Sequence, residues 1–223
     1  MNKNKIIKGV KDYIKELKKD DTSGHDWWHA YRVWKMSLIL AKEEKDIDLF
    51  VVQLTALLHD IADWKFHGGD DTIQERKIKE ILNKFGVDKK IIDHVNEIIR
   101  SMAYKSPTTI SKVKTKEAMI IQDADRLDAL GAIGIARAFV TGQIFGQKIY
   151  DPNKKVNLKQ TPEEYKKKYI GEDKNTIINH FYEKLLLLKN QMNTKTAKKI
   201  AEKRHKFMKQ YLDRFFKEWT VKL

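Results

Sequence analysis

The sequence has no cysteine among its 223 residues. This absence excludes disulfide bonds and thiolate-bound zinc, so any metal ion must be held by imidazole and carboxylate groups. A chain without cysteine suits a reducing compartment, and we predict a cytoplasmic protein.

Chain breakers and long apolar runs are also scarce. Three prolines and ten glycines leave few interruptions in a chain that is rich in helix-forming residues, which predicts an all-α fold. No segment approaches the ~20 apolar residues of a membrane span, and the basic N-terminus lacks the apolar stretch of a signal peptide. We therefore expect neither a membrane partner nor export.

Positive charge is in excess, with a formal net charge of +14. The lysines are spread over many segments, without an arginine-rich block or a basic stripe interleaved with aromatic residues. Solvated helix faces are the first interpretation and anionic small-molecule substrates the second, while a nucleic-acid partner stays open.

Apolar residues recur at helical spacing along most of the chain. We predict one domain over residues 1–223, with a core at about 20–141, a surface excursion with one short helix at 142–175, and a closing helical pair within 176–219. Ser23 and Asp26 resemble a capping box before the second helix. The predicted helices cover residues 3–19, 24–45, 48–62, 72–85, 88–103, 117–141, 176–190 and 194–219.

Two central helices carry polar groups where an apolar face is expected. His59 and Asp60 interrupt one such face and Asp125 another, and a buried carboxylate is costly unless it is paired or bound to a metal. Each group alone has a structural explanation, such as a salt bridge between Asp125 and Arg126. With His29, on a third helix, the four groups form a nitrogen and oxygen set suited to manganese, iron, zinc, nickel or cobalt.

The motifs around these residues resemble a known family. The strings GHDWWHAYRV, LLHDIAD and QDADRLDALGAIGIAR are similar to the H...HD...D signature of the HD-domain phosphohydrolases. Together with HFYEKLL and AEKRHKFM they resemble a bacterial and archaeal branch akin to manganese-dependent nucleoside triphosphate hydrolases, over about residues 20 to 219.

The resemblance implies an all-α HD-domain helical bundle around a mononuclear metal site. Its metal ligands would be His29, His59, Asp60 and Asp125. The cofactor would be one divalent ion, manganese first, with iron, nickel, cobalt, zinc and magnesium as alternatives. Such an ion lowers the pKa of bound water and polarises a phosphoryl oxygen, so that water attacks phosphorus near neutral pH.

Residues after the metal pair are candidates for catalysis and phosphate binding. Asp63 shares a helical face with His59 and Asp60, and we assign it the general acid/base role, which the resemblance supports; a local hydrogen bond at the helix end is the alternative. Lys65 and His67 precede Gly68-Gly69, where backbone N–H groups could approach a phosphate. A plain turn is the alternative there.

Further candidates lie on later helices. Lys105 and Arg137 are second-tier phosphate ligands, with ordinary surface cations as the alternative. Asp128 lies one turn after Asp125, where it could orient a metal ligand or contact a ribose. His25 is four residues before His29, but the HExxH string of zinc proteases is missing, so we assign His25 to the helix cap.

The remaining histidines and the tryptophans have weaker signals. A second metal site at His94 is an alternative to an exposed or partner-bound role, and His180 and His205 are assigned to structure. The tryptophans could stack a nucleobase, although core packing is the commoner role of such side chains. The candidates are four of the five tryptophans, Trp27, Trp28, Trp34 and Trp64.

We therefore expect a phosphohydrolase that acts on nucleotides, foremost on nucleoside or deoxynucleoside triphosphates. Three alternatives stay open: a phosphodiesterase for cyclic nucleotides or oligonucleotides, a basic nucleic-acid-binding module with a structural metal, and a nucleotide sensor without turnover. The oligomeric state is open as well, a homodimer included.

Overall fold

The computed structural model describes residues 2–62, 68, 70, 72–109, 113–170 and 175–221, with the backbone alone for 168 and 170. Its regular structure is helical, which confirms the all-α prediction. Within the described ranges, extended pairing is limited to an isolated bridge between Ser106 and Thr109. The helices are α1 (Lys3–Leu17), α2 (Trp27–Ala41), α3 (Leu49–Leu58), α4 (Thr72–Lys84), α5 (Lys89–Met102), α6 (Lys116–Asp128), α7 (Gly131–Ile144), α8 (Pro162–Ile170), α9 (Ile177–Glu183), a 3-10 helix (Leu185–Gln191) and α10 (Lys195–Trp219).

Short polar side chains start many of these helices. Asp48 accepts hydrogen bonds from the first N–H groups of α3, and Thr115 and Thr194 do the same for α6 and α10. At α2 the cap is Asp26, whose carboxylate accepts from His29 N–H at 2.8 Å. The expected capping box was therefore wrong, because Ser23 lies before the helix and bonds to Asp21 instead.

The centre of the fold is α3, in which Gln53 and Leu49 alone keep appreciable exposure. It packs against α1, α2, α5 and α6, and α2 also packs against α6. Buried residues from α1 to α10 form one hydrophobic cluster. The α3 sequence is apolar all round, as a helix surrounded by other helices must be. The reading of residues 1–223 as one domain stays a prediction.

The predicted long helix over 117–141 is two helices, α6 and α7, bent by 76°. Gly131 starts α7 with φ +77°, a conformation that glycine adopts without strain. A Cβ on Gly134 would lie 2.3 Å from the carbonyl carbon of Ala129, so the corner requires a glycine there. The bend brings the C-terminal end of α6 next to the first turns of α7.

After α7 the described chain contains one short helix and then the closing helices. One short helix, α8, lies within an irregular stretch, and α9 leads through the 3-10 helix into α10. By length and apolar content no single helix of the described residues could cross a membrane. The bent pair α6 and α7 passes that test only when its two helices are taken together.

Candidate metal centre

Two histidines meet in the interior. His29 lies in the first turn of α2 and is 1% exposed, and His59 directly follows α3. Their Nε2 atoms are 3.0 Å apart. Nδ1 of His29 donates to Asp128 at 2.7 Å, and Nδ1 of His59 donates to the Ala56 carbonyl oxygen at 2.9 Å.

These partners decide where the ring protons are. A carboxylate and a carbonyl only accept hydrogen bonds, so each Nδ1 carries a proton and each neutral ring points a lone pair from Nε2 at the other. Two lone pairs at this distance repel unless positive charge lies beside them. A proton or a metal ion bound at the two Nε2 atoms would therefore stabilise this arrangement.

Two aspartates add negative charge at the same point. Asp125 Oδ1, on α6, lies 3.6 Å from Nε2 of both His29 and His59. Asp60 Oδ2 lies 3.7 Å from Nε2 of His29. The structure thus brings all four predicted ligands close to His29, but in two overlapping groups that could each hold an ion: His29 with His59 and Asp125, and His29 with His25 and Asp60.

The electrostatics of the site favour positive charge at His59. Burial lowers the pKa of His29 to about 3, so this ring is neutral at physiological pH. Burial also opposes charge on His59, but the neighbouring carboxylates of Asp125 and Asp60 outweigh it and raise the pKa of His59 above its ordinary value. The same pairing, against burial, holds the pKa of Asp125 below its ordinary value.

His25 is the residue that sequence reasoning missed. Its Nδ1 lies 2.5 Å from Asp60 Oδ2, and it faces His29 edge to ring at a centroid distance of 5.7 Å. Lys18 donates to the His25 carbonyl oxygen. The four-residue spacing from His29 was the available signal, but the ring contacts Asp60 and does not cap the helix.

Asp128 contacts His29 on the Nδ1 side of the ring. Its carboxylate accepts from His29, from Arg32 at 2.7 and 3.0 Å, and lies 3.3 Å from Arg137 Nη1. Burial opposes its ionisation, but the hydrogen bonds from His29 and Arg32 keep the pKa of Asp128 well below its ordinary value. Of the two uses expected for Asp128, the geometry favours orientation of a metal ligand.

Arg137 is not the ordinary surface cation of the alternative interpretation. Its side chain is 13% exposed, and Nε donates to the Gly24 carbonyl oxygen at 2.6 Å. Gly24 has φ +79°, so this loop conformation suits glycine. Arg137 therefore ties α7 to the loop that carries His25.

The group of candidate metal ligands opens into a cavity of about 190 Å³. His25, Asp60, Asp125 and Arg137 lie at one end. The rest of the wall comes from α4, α5, α6 and α7, from the segments that follow α5 and α7, from α8, and from α9 with the 3-10 helix. These wall residues include Ile99, Met102, Tyr104, Arg126, Gly142, Phe145, Gln147, Tyr169, His180, Lys184, Leu185 and Leu188.

Asp63, Lys65 and His67 are outside the described residues, as is Trp64. Lys105 is exposed and does not line the cavity.

The remaining aromatic and histidine candidates divide between core, surface and cavity. Trp27 is buried in the core, Trp28 is 58% exposed, and Trp34 donates to Gln53. Of the histidines assigned to structure, His180 lines the cavity wall whereas His205 does not.

Comparison with known proteins agrees with this geometry. Residues 27–130, which contain all four predicted ligands, match the HD domain family. The chain belongs to the HD superfamily. An HD-superfamily hydrolase of Bacillus thuringiensis is 37% identical, with 98% of this chain and 99% of that chain covered and a TM-score of 0.69. The protein is thus a metal-dependent phosphohydrolase of this superfamily.

Two further proteins match over nearly the whole chain. A solved structure from Lactobacillus plantarum is 34% identical with a TM-score of 0.86, covering 97% of this chain and 98% of that one. The uncharacterized protein YpgQ of Bacillus subtilis is 34% identical over 222 residues, or 98% of this chain and 96% of YpgQ. A crystal structure of YpgQ in complex with ADP matches with a TM-score of 0.69, 33% identity and coverage of 95% and 97%.

The donor set fits a divalent ion. Imidazole nitrogens suit manganese, iron, nickel, cobalt and zinc, and carboxylates add the charge that a divalent cation requires. The facing Nε2 atoms and the raised pKa of His59 mark the place where positive charge is stabilised. HD-type metal chemistry is therefore compatible with the residues present.

Proposed function

We propose that the protein hydrolyses phosphate bonds of nucleotides, foremost of nucleoside and deoxynucleoside triphosphates. The observation that carries the proposal is the buried pair of Nε2 atoms, ringed by Asp60 and Asp125, at the end of a cavity lined by cationic and aromatic side chains. The crystal structure of YpgQ with ADP supports a nucleotide as the ligand.

In this proposal His29, His59, Asp60 and Asp125 hold one divalent ion, manganese first. When bound, the ion supplies an activated water and polarises a phosphoryl oxygen. Asp128 fixes the ring of His29 in the orientation that presents Nε2 to the ion, as partners of metal-bound histidines commonly do.

Cationic side chains would bind the phosphates. Arg137 lies beside the candidate metal ligands and lines the cavity, so it is the first candidate for phosphate binding. Lys65 and His67 stay candidates on sequence grounds, as does Asp63 for proton transfer. The exposure of Lys105, away from the cavity wall, makes it a weaker candidate than Arg137. A cytoplasmic location and a homodimer stay predictions.

Turnover after metal removal tests the proposal. Protein stripped by a chelator is screened against ribo- and deoxyribonucleotides with each divalent ion, and products are identified as phosphate or pyrophosphate. We expect activity that depends on added ion and disappears in His59→Ala protein with wild-type circular dichroism. His94→Ala, outside the cavity wall, is the control and should keep activity. Undiminished turnover by fully chelated wild type would overturn the proposal.

A further inference from the structure

Part of the cavity wall is aromatic and does not belong to the group of candidate metal ligands. We call it the aromatic lobe and define it by Tyr104, Phe145, Gln147, Tyr169, Leu185 and Leu188. Aromatic rings contact one another along it, with Phe145 and Tyr169 at a centroid distance of 5.2 Å. A flat apolar group would therefore find ring faces and aliphatic side chains on several sides.

The tyrosine hydroxyls of the lobe are engaged away from it. Tyr104 Oη donates to the Glu183 carbonyl oxygen at 3.0 Å, and Tyr169 Oη bonds to Tyr165 Oη at 3.0 Å. The rings are thus held in place by their polar ends. One face of Tyr104 is covered by Lys184 Nζ, 5.1 Å from the ring centroid, and Phe145 and Tyr169 add apolar surface to the lobe.

Gln147 is the polar exception in this lobe. It is 9% exposed, and its backbone N–H donates to the Gly142 carbonyl oxygen at 2.9 Å, which closes the end of α7. The residue lines the cavity, and among the described residues its side-chain amide makes no hydrogen bond. The amide atoms are not fully buried, so they are open to the cavity and can donate to and accept from a ligand there.

The amide packs against a turn of α7 that lies beyond Arg137 along the helix. Gly142 lines the cavity, and a Cβ placed there would be 3.1 Å from Gln147 Oε1, so the amide folds back over this turn of α7. Arg137 is five residues earlier on the same helix, a rise of about 7.5 Å. The sugar and phosphate groups of a nucleotide span such a separation.

We propose that the aromatic lobe binds the nucleobase of the substrate and that Gln147 reads its hydrogen-bonding edge. The inference rests on the proposed nucleotide substrate. An amide presents a donor and an acceptor side by side, which is the pattern that pairs with adjacent groups on a base edge. Rings of the lobe add stacking, which every base accepts, so Gln147 and not the rings decides the base preference.

The test separates base binding from hydrolysis. Uncharged nucleosides carrying each of the four bases are titrated into wild-type protein and into Gln147→Leu and Gln147→Glu variants, with saturation-transfer NMR as the readout. We expect wild type to bind them and Gln147→Leu to lose about tenfold in affinity for the preferred base, the equivalent of one or two hydrogen bonds. The carboxylate introduced by Gln147→Glu only accepts hydrogen bonds, so the binding preference of this variant should shift toward bases that offer a donor.

Gln143→Leu is the matched control, because Gln143 is exposed on α7 and does not line the cavity. Binding of no nucleoside by folded wild type, or equal binding by wild type and both Gln147 variants, would overturn the lobe assignment. Nucleotide turnover is measured in parallel on wild type. Base-selective binding without turnover of any nucleotide would keep the lobe and remove the proposed hydrolysis.

Discussion

Replacing Asp128 with asparagine tests the polar network behind His29. The change keeps the shape of the side chain and removes its charge, so His29, Arg32 and Arg137 lose the carboxylate that they share. Breaking a buried ion pair at one partner costs about 3–5 kcal/mol. Arg32 keeps 34% of its side-chain exposure and recovers part of its hydration, which places the expected loss nearer to about 3 kcal/mol.

The substitution should also weaken metal binding. Without the carboxylate the ring of His29 is no longer held with Nδ1 protonated and Nε2 free, and loss of such a supporting partner typically costs about 10–100-fold in metal affinity. Urea unfolding of the metal-free protein measures the first effect, and isothermal titration with Mn²⁺ the second.

Asp93→Asn is the matched control. Asp93 forms an exposed pair with Lys89 at 2.5 Å, one turn apart on α5, and such pairs contribute about 0.3–0.5 kcal/mol. Equal unfolding free energies for the two variants, together with wild-type affinity for Mn²⁺ in Asp128→Asn, would refute the role given to Asp128.

Two more predictions concern protons. The pKa of His29 falls from 6.5 to about 3 on folding, so the unfolded chain takes up a proton in this window and the folded chain does not. Metal-free wild type should therefore lose stability as pH falls from 6.5 toward 3, and this group contributes at most about 1.4 kcal/mol per pH unit to the loss. Urea unfolding at pH 6.5 and 4.5 measures it, and the unfolding free energy of His29→Gln should depend less on pH. Because the raised pKa of His59 favours a proton where the ion binds, Mn²⁺ binding should release up to one proton near pH 6.5. Calorimetric titration in buffers of different ionisation enthalpy measures the number of protons released. A binding enthalpy that does not depend on the buffer would contradict this prediction.

The helices were predictable from the sequence because apolar periodicity and the scarcity of breakers act locally. The corner between α6 and α7 was not, since Leu130 and Gly131 are compatible with a continuing apolar pattern. What bends the chain there is a positive φ at Gly131 and the close approach of Gly134 to the Ala129 backbone, neither of which a periodicity analysis registers.

The same limit applies to the site. His59 and Asp60 stood out because these polar residues directly follow the apolar run of α3, and that pattern is visible in the sequence itself. The contact of His25 with Asp60 joins residues 35 apart, and that of Arg137 with Gly24 joins residues 113 apart. Both contacts depend on how α2, α3 and α7 pack. From the sequence alone, His25 could therefore be assigned only to a helix cap and Arg137 only to a second-tier phosphate-binding role.

Metal content gives the most direct test of the four-residue site. Wild type, His59→Ala and the His94→Ala control are stripped, reloaded with Mn²⁺, desalted and assayed by elemental analysis, with circular dichroism to check folding. We predict about one ion per chain in wild type and control and almost none in His59→Ala. One ion per chain retained by folded His59→Ala, or none bound by reloaded wild type, would contradict the account.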